Sequence, residues 1–410
     1  MRFHHRAVPI ALAAVLIDSI GFGIVLPVLP GLIVDLTGTT LPDATRIGGW
    51  LAIVFAAAHF FAGPVLGNLG DRFGRRPVLL AAMAIFAVDY SLMAFAPTIA
   101  WLFAGRLIAG IAGAVYGPAN AVIADVTPPE RRGATFGLMG AAFGIGFIIG
   151  PAIGGLLADF GSRAPFMAAA ALAALNAAWI SIWLPETLAP AHRRPFDWRR
   201  ANAFGAFMPV FRLPGARPLL VVAFVWQLSH QVYPATWAFF AEIALGWDAR
   251  AIGWSLATTG VAMALTQMFV TGRAIGALGE TRTVMIGLTV GALTYLGYTF
   301  VNAGWQVYAL LIFGALQALA YPSLNAMLSR MADASNQGAL QGGMASIASL
   351  AAILGPLGLT QTLAWGAERG FPGAAFALAA ALAFLAAGIV LVFLLLRPAR
   401  AVAPGDGQPI

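Results

Sequence analysis

The sequence predicts an all-α integral membrane protein with twelve transmembrane helices, on three observations. Apolar residues make up 60% of the 410-residue chain and charged residues only 10%, against about 45–50% and about 25% in soluble proteins. About twelve apolar runs approach or exceed the roughly 20 residues that a bilayer core requires. Arginines concentrate in every second interval between these runs. An ordinary soluble enzyme is therefore excluded.

The apolar runs place the predicted helices along the chain. Spans one to six occupy residues 8–34, 47–66, 77–96, 99–121, 134–157 and 164–184. Spans seven to twelve occupy residues 217–240, 251–270, 283–302, 306–328, 338–364 and 373–396. Pro27 and Pro30 interrupt the first run, which a membrane helix tolerates because neighbouring helices satisfy the freed backbone groups.

The arginines predict the orientation in the membrane. With the N-terminus inside, cytoplasmic segments hold eighteen of them, and four lie in external loops: Arg46, Arg163, Arg250 and Arg369. This bias places both termini in the cytoplasm of a bacterial inner membrane. The net charge of +7 thus reflects the excess of arginines in the cytoplasmic segments, and no nucleic-acid partner is expected. The polar interval 185–216 is a solvated linker, or a segment that Phe196 and Trp198 seat on the anionic leaflet.

Composition also excludes several kinds of chemistry. The chain has no cysteine, which rules out disulfides and thiolate metal sites, and no lysine, which rules out a Walker A loop. No H-E-x-x-H or G-x-S-x-G motif is present. We therefore expect no catalytic site, no metal and no cofactor.

The two halves of the chain repeat at an offset of 205 residues. The matched residues of the first half are Gly67, Gly74, Gly133, Ala134, Gly137, Met139, Gly150 and Pro151. Their counterparts are Gly272, Gly279, Gly338, Ala339, Gly342, Met344, Gly355 and Pro356. Such repeats are typical of transporters in which two bundles move about a central site. The predicted domains are an N-terminal six-helix bundle (1–184), the linker (185–216), a C-terminal six-helix bundle (217–400) and a disordered tail (401–410).

The most specific motif is the turn between spans two and three, GNLGDRFGRRP at residues 67–77. Its glycine spacing, its acid and its arginines resemble the signature loop of the major facilitator superfamily. The resemblance implies that this loop stabilises one side of an alternating-access cycle, with Asp125 as the partner of Arg75. Span five is glycine-rich around Gly150 and Pro151, which indicates close packing or, by resemblance, the motif of proton-driven antiporters. The candidate gating residues are Asp71, Arg72, Arg75, Arg76, Asp125, Gly150 and Pro151.

Charged residues inside predicted spans are candidates for proton coupling, because charge at such depth is costly. Asp18 lies near the middle of span one without an arginine at its depth. Asp89 and Arg106 lie at similar depths, and a structural ion pair and a role in coupling both remain open. His59 in span two adds a group that titrates near neutral pH, although a lone histidine is more often a packing residue.

A polar and aromatic cluster around Pro234 in span seven suits an amphipathic organic ligand. Amides in the later spans extend this set, although some of them are expected to join helices to one another. The candidate substrate residues are Trp226, Gln227, His230, Gln231, Tyr233, Trp237, Gln267, Gln317, Asn325 and Gln341.

Five segments resemble the bacterial tetracycline/proton antiporters more closely than the superfamily in general: 18–30 (DSIGFGIVLPVLP), 67–80, 105–125, 140–155 and 337–342 (QGALQG). Asp18, Asp71, Asp89, Arg106, Asp125 and Gln267 match positions linked to transport in that group. This chain departs from the best-known members at three positions. Met263 replaces a histidine, Gly291 replaces an aspartate, and His59 replaces a glutamine.

The resemblance implies a monomeric antiporter that exports amphipathic compounds, most directly tetracyclines, and uses the proton gradient as its energy source. The alternatives are a facilitator or importer of the same fold and an exporter of another metabolite, lipid or siderophore. The departures at Met263 and Gly291 shift proton coupling to Asp18, Asp89 and His59.

Overall fold

The computed structural model describes residues 5–112, 115–198, 202, 215–332 and 337–396, and within these ranges the regular secondary structure is helical. Helices of the first half are Ala7–Val25 and Leu29–Thr37 (span one), Leu41–Phe73 (two), Arg75–Ala94 (three), Ile99–Ala112 and Tyr116–Val126 (four), Pro129–Leu157 (five) and Ala164–Trp183 (six). Helices of the second half are Arg217–His230 and Val232–Leu245 (seven), Ala249–Leu265 (eight), Gly272–Thr299 (the end of eight as far as Gly279, then nine), Gly304–Gly314 and Ala320–Ser329 (ten), Gln337–Ala367 (eleven) and Ala374–Leu396 (twelve).

These helices give the twelve spans that the sequence predicts. In the part of the chain that the structure describes, ten stretches are long and apolar enough to cross a membrane. One of them, Ala249–Thr299, has 51 residues, enough for two crossings at 1.5 Å per residue, and it turns at Gly279, where φ is 77°. Span seven is missing from the ten because it is broken into two helices of 14 residues each. Counting the long stretch as two spans and adding span seven makes twelve.

Several helices are longer than the apolar runs that predict them. Span two continues to Phe73 rather than residue 66, and span five begins at Pro129 rather than residue 134. Polar residues at these ends let the helix continue past the apolar core, where water can satisfy them. The tail 401–410 and residues 199–201 and 203–214 of the linker lie outside the described residues.

The repeat predicted from the sequence has a counterpart in the backbone. Gly74 and Gly279, at equivalent positions, both adopt a positive φ (109° and 77°) with ψ near 160° (162° and 164°), which a side chain would strain. Pro151 and Pro356 both lie inside a helix. The breaks in spans one and seven are also equivalent, since span one breaks after Val25 and span seven after His230. The two halves are therefore pseudo-symmetric six-helix bundles.

Packing between the helices follows the same symmetry. Span one packs on span five and span three on span six, and their counterparts seven and eleven, nine and twelve, pack likewise. Two seams join the halves, one between spans two and eleven and the other between spans five and eight. The repeat relates the two seams, because span two is equivalent to span eight and span five is equivalent to span eleven.

The two ends of the molecule differ in how closely the halves meet. At the end that carries Arg46 (the Arg46 end), added methyl groups on Gly49 and Gly253 would collide with Thr360 and Pro151 of the opposite half. Toward the other end (the Arg75 end), a methyl group on several glycines of the same helices would contact none of the described residues within 4 Å: Gly63, Gly67, Gly140, Gly144, Gly272 and Gly276. The halves are therefore in contact at the Arg46 end and separated toward the Arg75 end.

Candidate functional site

A cavity of about 260 Å³ lies between the halves, next to the breaks in spans one and seven. Its wall is mainly apolar and aromatic, and both halves contribute to it. Aromatic side chains in the wall are Phe22, Phe55, Tyr90 and Phe239, none of which the sequence singled out. Of the predicted site residues, His59, Arg106 and Gln231 lie in the wall. A ligand with fused rings and a few polar groups suits such a wall, which offers rings for contact and a small number of groups for orientation.

Asp89 and Arg106 form an ion pair at one edge of this cavity, as their depth in the sequence suggested. Asp89 is fully buried, and Arg106 also donates to Met93 Sδ at 3.1 Å. The guanidinium lies over the ring of Phe55, 5.6 Å from its centroid. Asp89 Oδ1 and Arg106 Nε are buried without a hydrogen-bond partner among the described residues. The pair therefore retains one acceptor and one donor beside the cavity.

Asp18 and His59 lie in spans one and two of the first half. Asp18 is partly exposed, one helical turn before the cavity residue Phe22, and its carboxylate makes no hydrogen bond or ion pair with the described residues. His59 lies in the cavity wall, and its ring stacks on Phe55 with centroids 5.9 Å apart. The Nδ1 atom of His59 is buried without a partner in the described chain.

Most of the aromatic residues predicted for substrate form a cluster inside the second half instead of lining the cavity. The Tyr295 hydroxyl bridges His230 Nδ1 at 3.0 Å and Gln317 Oε1 at 2.8 Å. Gln317 Nε2 in turn donates to the Tyr233 hydroxyl at 3.4 Å. Trp226 stacks on His230, and Trp237 Nε1 donates to Ser255 Oγ at 2.9 Å. These side chains satisfy one another, as expected for a rigid polar core.

The other predicted amides are scattered. Gln231 lies in the cavity wall at the break of span seven, and Gln227 is partly exposed one turn before it. Gln341 donates to Asn325 Oδ1 at 3.2 Å and so joins spans ten and eleven. Gln267 is exposed in the π-helical segment Thr266–Thr271. The structure therefore does not bring the predicted substrate residues together in one place.

The predicted gating residues Asp71, Arg75 and Asp125 meet at the Arg75 end. Arg75 Nη1 lies 2.6 Å from Asp71 Oδ1, and Arg75 Nε lies 3.2 Å from Asp125 Oδ2. One guanidinium thus links the end of span two, the start of span three and the end of span four. Arg72 is exposed over the ring of Phe73, and Arg76 donates to the carbonyl of Ser181 in span six.

Glu186 completes this network, although the sequence analysis placed it in the linker without a role. Its carboxylate accepts from the backbone N–H groups of Arg75 at 2.9 Å and Arg76 at 3.3 Å, the first residues of span three. A carboxylate at a helix N-terminus satisfies free donors and the helix dipole. The linker residues around Glu186 are thereby held against the loop, which is reinforced by a bond from Arg194 N to the Asp71 carbonyl at 3.0 Å.

The second half carries a counterpart of the Arg75–Asp125 pair with its charges exchanged. Glu280 and Arg330 occupy the positions equivalent to Arg75 and Asp125, and they form an ion pair of 2.9 Å. The 205-residue offset could have identified this pair from the sequence. In each half, an ion pair therefore joins the start of the third span to the end of the fourth span.

Gly150 and Pro151 lie where span five meets span one. Gly150 packs against the backbone of Ile20 and Gly23, and the Pro151 ring packs against Gly23. Because Gly150 and Gly23 lack side chains, the backbones of spans five and one can approach each other. Gly355 likewise lets span eleven pack closely against Gln231 of span seven.

Comparison with known proteins agrees with this architecture. The family model described as Major Facilitator Superfamily matches residues 11–243 and 219–409. The class C tetracycline resistance protein of Escherichia coli is 41% identical over 378 residues, covering 92% of this chain and 94% of that protein. The class G protein of Vibrio anguillarum is 38% identical over 360 residues, covering 86% and 88%.

A solved structure gives the same fold. That of the human organic anion transporter MFSD10 (TETRAN) aligns with 94% of this chain and 99% of that chain, with a TM-score of 0.70 and 24% sequence identity. At this identity the likeness concerns the fold alone, whereas the resistance proteins are also similar in sequence along most of their length. This chain therefore belongs to the major facilitator superfamily, within the group that includes the tetracycline resistance proteins.

Proposed function

We propose that this protein is a proton-coupled antiporter that exports amphipathic organic compounds by alternating access, with tetracycline-type drugs as the leading class. The observation that carries the proposal is the cavity between the halves, in a chain 41% identical to a tetracycline resistance protein. The aromatic wall can bury the rings of such a compound, while Arg106, His59 and Gln231 orient its polar groups.

Proton coupling is proposed for Asp18, with His59 and the Asp89–Arg106 pair. A coupling carboxylate must exchange a proton within reach of the cavity, and Asp18 lies one turn from it without a partner in the described chain. Protonation of Asp18 favours release of the drug outward and the return of the empty carrier inward. Asp89 Oδ1 and His59 Nδ1 are further acceptors that the described residues leave unused.

The second half supports this assignment by its packing. The Trp226 ring fills the space beside Gly291, so that a methyl group added there would lie 2.5 Å from the indole. An aspartate at this position would displace Trp226 from its stack on His230. This packing supports the proposal that the coupling groups belong to the first half, where Asp18 lies one turn from Phe22 and Asp89 pairs with Arg106 of the cavity wall.

An alternative is a proton-independent facilitator, or an exporter of another amphipathic metabolite, lipid or siderophore. The residues Met263 and Gly291 favour it, since neither can carry a proton. In that case the Asp89–Arg106 pair holds spans three and four together and takes no part in coupling.

The arginine distribution supports placing the Arg75 end in the cytoplasm, with both termini there and a bacterial inner membrane around the helices. In this orientation the separated end of the molecule faces the cytoplasm, the side from which an exporter takes its substrate. The proposed partners are the small amphipathic substrate, protons and lipid. We propose that a single chain is the working unit and that it uses no cofactor.

The function can be tested in everted vesicles with an acidic interior and a pH-sensitive dye. Adding tetracycline should dissipate the gradient, and Asp18→Asn should abolish this while preserving exchange of bound drug. Asp35→Asn is the matched control, because Asp35 is exposed in the same span. Normal pumping by Asp18→Asn would refute the coupling assignment. A drug flux that ignores pH would support the facilitator.

A further inference from the structure

An ion pair joins the two halves at the Arg46 end. Arg46 Nη2 in the second turn of span two lies 2.7 Å from Glu368 Oε1, just beyond the end of span eleven. Its Nη1 lies 2.8 Å from Asp43, whose carboxylate accepts from the Thr40 hydroxyl at 3.0 Å. Asp43 is thus fixed by the helix cap, and it orients the guanidinium toward the second half.

The pair lies directly above the closed end of the cavity. Gly48 and Leu51, within about two turns of Arg46, are part of the cavity wall. Gly48 packs against the Phe239 ring, and Gly49 packs against Thr360 of span eleven. A substrate that moves from the cavity toward the Arg46 end must therefore separate the helices that Arg46 and Glu368 join.

The second seam has the same construction. Arg250 at the start of span eight lies 3.6 Å from Asp159, next to the end of span five. Gly155 packs against the backbone of Arg250, as Gly49 packs against span eleven. The offset of 205 takes Arg46 to residue 251, beside Arg250. Both seams thus combine close glycine packing with one ion pair between the halves.

The energetics suit a contact that breaks in every transport cycle. The side chains of Arg46 and Glu368 are 31% and 41% exposed, and exposed ion pairs contribute little to stability. Such a pair shifts the balance between two states by a few-fold without locking either.

We propose that Arg46 and Glu368 are positioning residues of the transport cycle, forming a latch that keeps the Arg46 end closed while the cavity opens toward the Arg75 end. The Arg250–Asp159 pair acts in parallel at the other seam. The latch deepens the proposed function, but its effect on accessibility can be measured without any substrate.

The test exploits the absence of cysteine from the chain. A single Ser349→Cys reporter in the cavity wall can be labelled by an impermeant thiol reagent in vesicles that expose only the Arg46 end. Arg46→Glu or Glu368→Arg should each raise the labelling rate about threefold to fivefold, the effect of an exposed pair. The double exchange should restore the original rate, because the arginine introduced at position 368 again faces carboxylates.

Arg163→Glu is the matched control for Arg46→Glu, because Arg163 lies at the same end and, among the described residues, donates to carbonyls of its own half, those of Ala94 and Ala96. Unchanged labelling in both single charge reversals, or a double exchange as fast as the singles, would overturn the latch. If a reversal variant fails to fold, Glu368→Gln provides the same comparison. Altered labelling without drug-driven proton flux would refute the proposed function and leave the latch standing.

Discussion

At the residue scale, the most constrained charges are those of Asp89 and Arg106. The Asp89 side chain is fully buried, and the Arg106 side chain is 11% exposed. A buried ion pair adds little net stability, but removing one partner leaves an uncompensated charge in a medium that solvates it poorly. The pair thus explains why two charges are tolerated inside the membrane.

We expect Asp89→Asn to reduce the free energy of unfolding by about 3 kcal/mol, because Arg106 then loses its counter-charge. Asp71→Asn, which weakens a more exposed pair with Arg75, should cost less than about 1 kcal/mol. Unfolding of the purified protein in detergent, followed by tryptophan fluorescence, measures both. Equal losses would mean that the Asp89 site is not effectively buried.

At the element scale, glycine decides how closely helices meet. Span five carries two glycines six residues apart with different surroundings. Gly150 touches the backbone of span one, whereas a methyl group on Gly144 would meet none of the described residues within 4 Å. The same residue type is therefore structural at one position and unconstrained at the other.

Gly150→Ala should push spans one and five apart and destabilise the protein by about 1–3 kcal/mol, the usual cost of overpacking. Gly144→Ala is the matched control, with the same change in the same helix. It should be neutral or slightly stabilising, since alanine favours helix over glycine by about 1 kcal/mol. Thermal unfolding of the two variants decides the question, and a stable Gly150→Ala would contradict the close contact.

At the scale of the whole molecule, the two ends are set by different contacts. The Arg75 end is braced within each half by Arg75–Asp125 and Glu280–Arg330. The Arg46 end is held between the halves by Arg46–Glu368 and Arg250–Asp159. Motion of one half against the other can therefore leave the first set intact while it breaks the second.

The latch should be insensitive to pH across the physiological range. Hydrogen bonding to Arg46 lowers the pKa of Glu368, with Asp43 raising it and Arg369 lowering it through their charges. A lowered pKa means that the stabilisation is fully present above the ordinary glutamate pKa, about 4.3, and is lost as the pH falls through the lowered value. The labelling rate of the Ser349→Cys reporter in the Glu368→Gln variant, divided by its rate in the protein that keeps Glu368, should stay constant from pH 8 to 5. A ratio that falls within that window would point to a different titrating group.

The sequence by itself determined the number of spans, the repeat and the fold. These follow from apolar runs long enough to cross a bilayer, because a helix satisfies its own backbone there. The resemblance of the loop at 67–77 to the superfamily's signature also implied Asp125 as the partner of Arg75, and the structure contains that contact. The breaks and extensions of individual helices were less accessible, because they depend on neighbours that satisfy the freed groups.

Only the tertiary structure decided which side chains face the cavity. Membrane helices are apolar on the lipid side and the packed side alike, so periodicity could not separate Phe55 and Phe239 in the wall from Trp237 in the interior. Likewise, Glu186 meets Arg75 across 111 residues, and Arg46 meets Glu368 across most of the chain. Contacts between distant residues are set by how the helices pack, and no local pattern in the sequence records that packing.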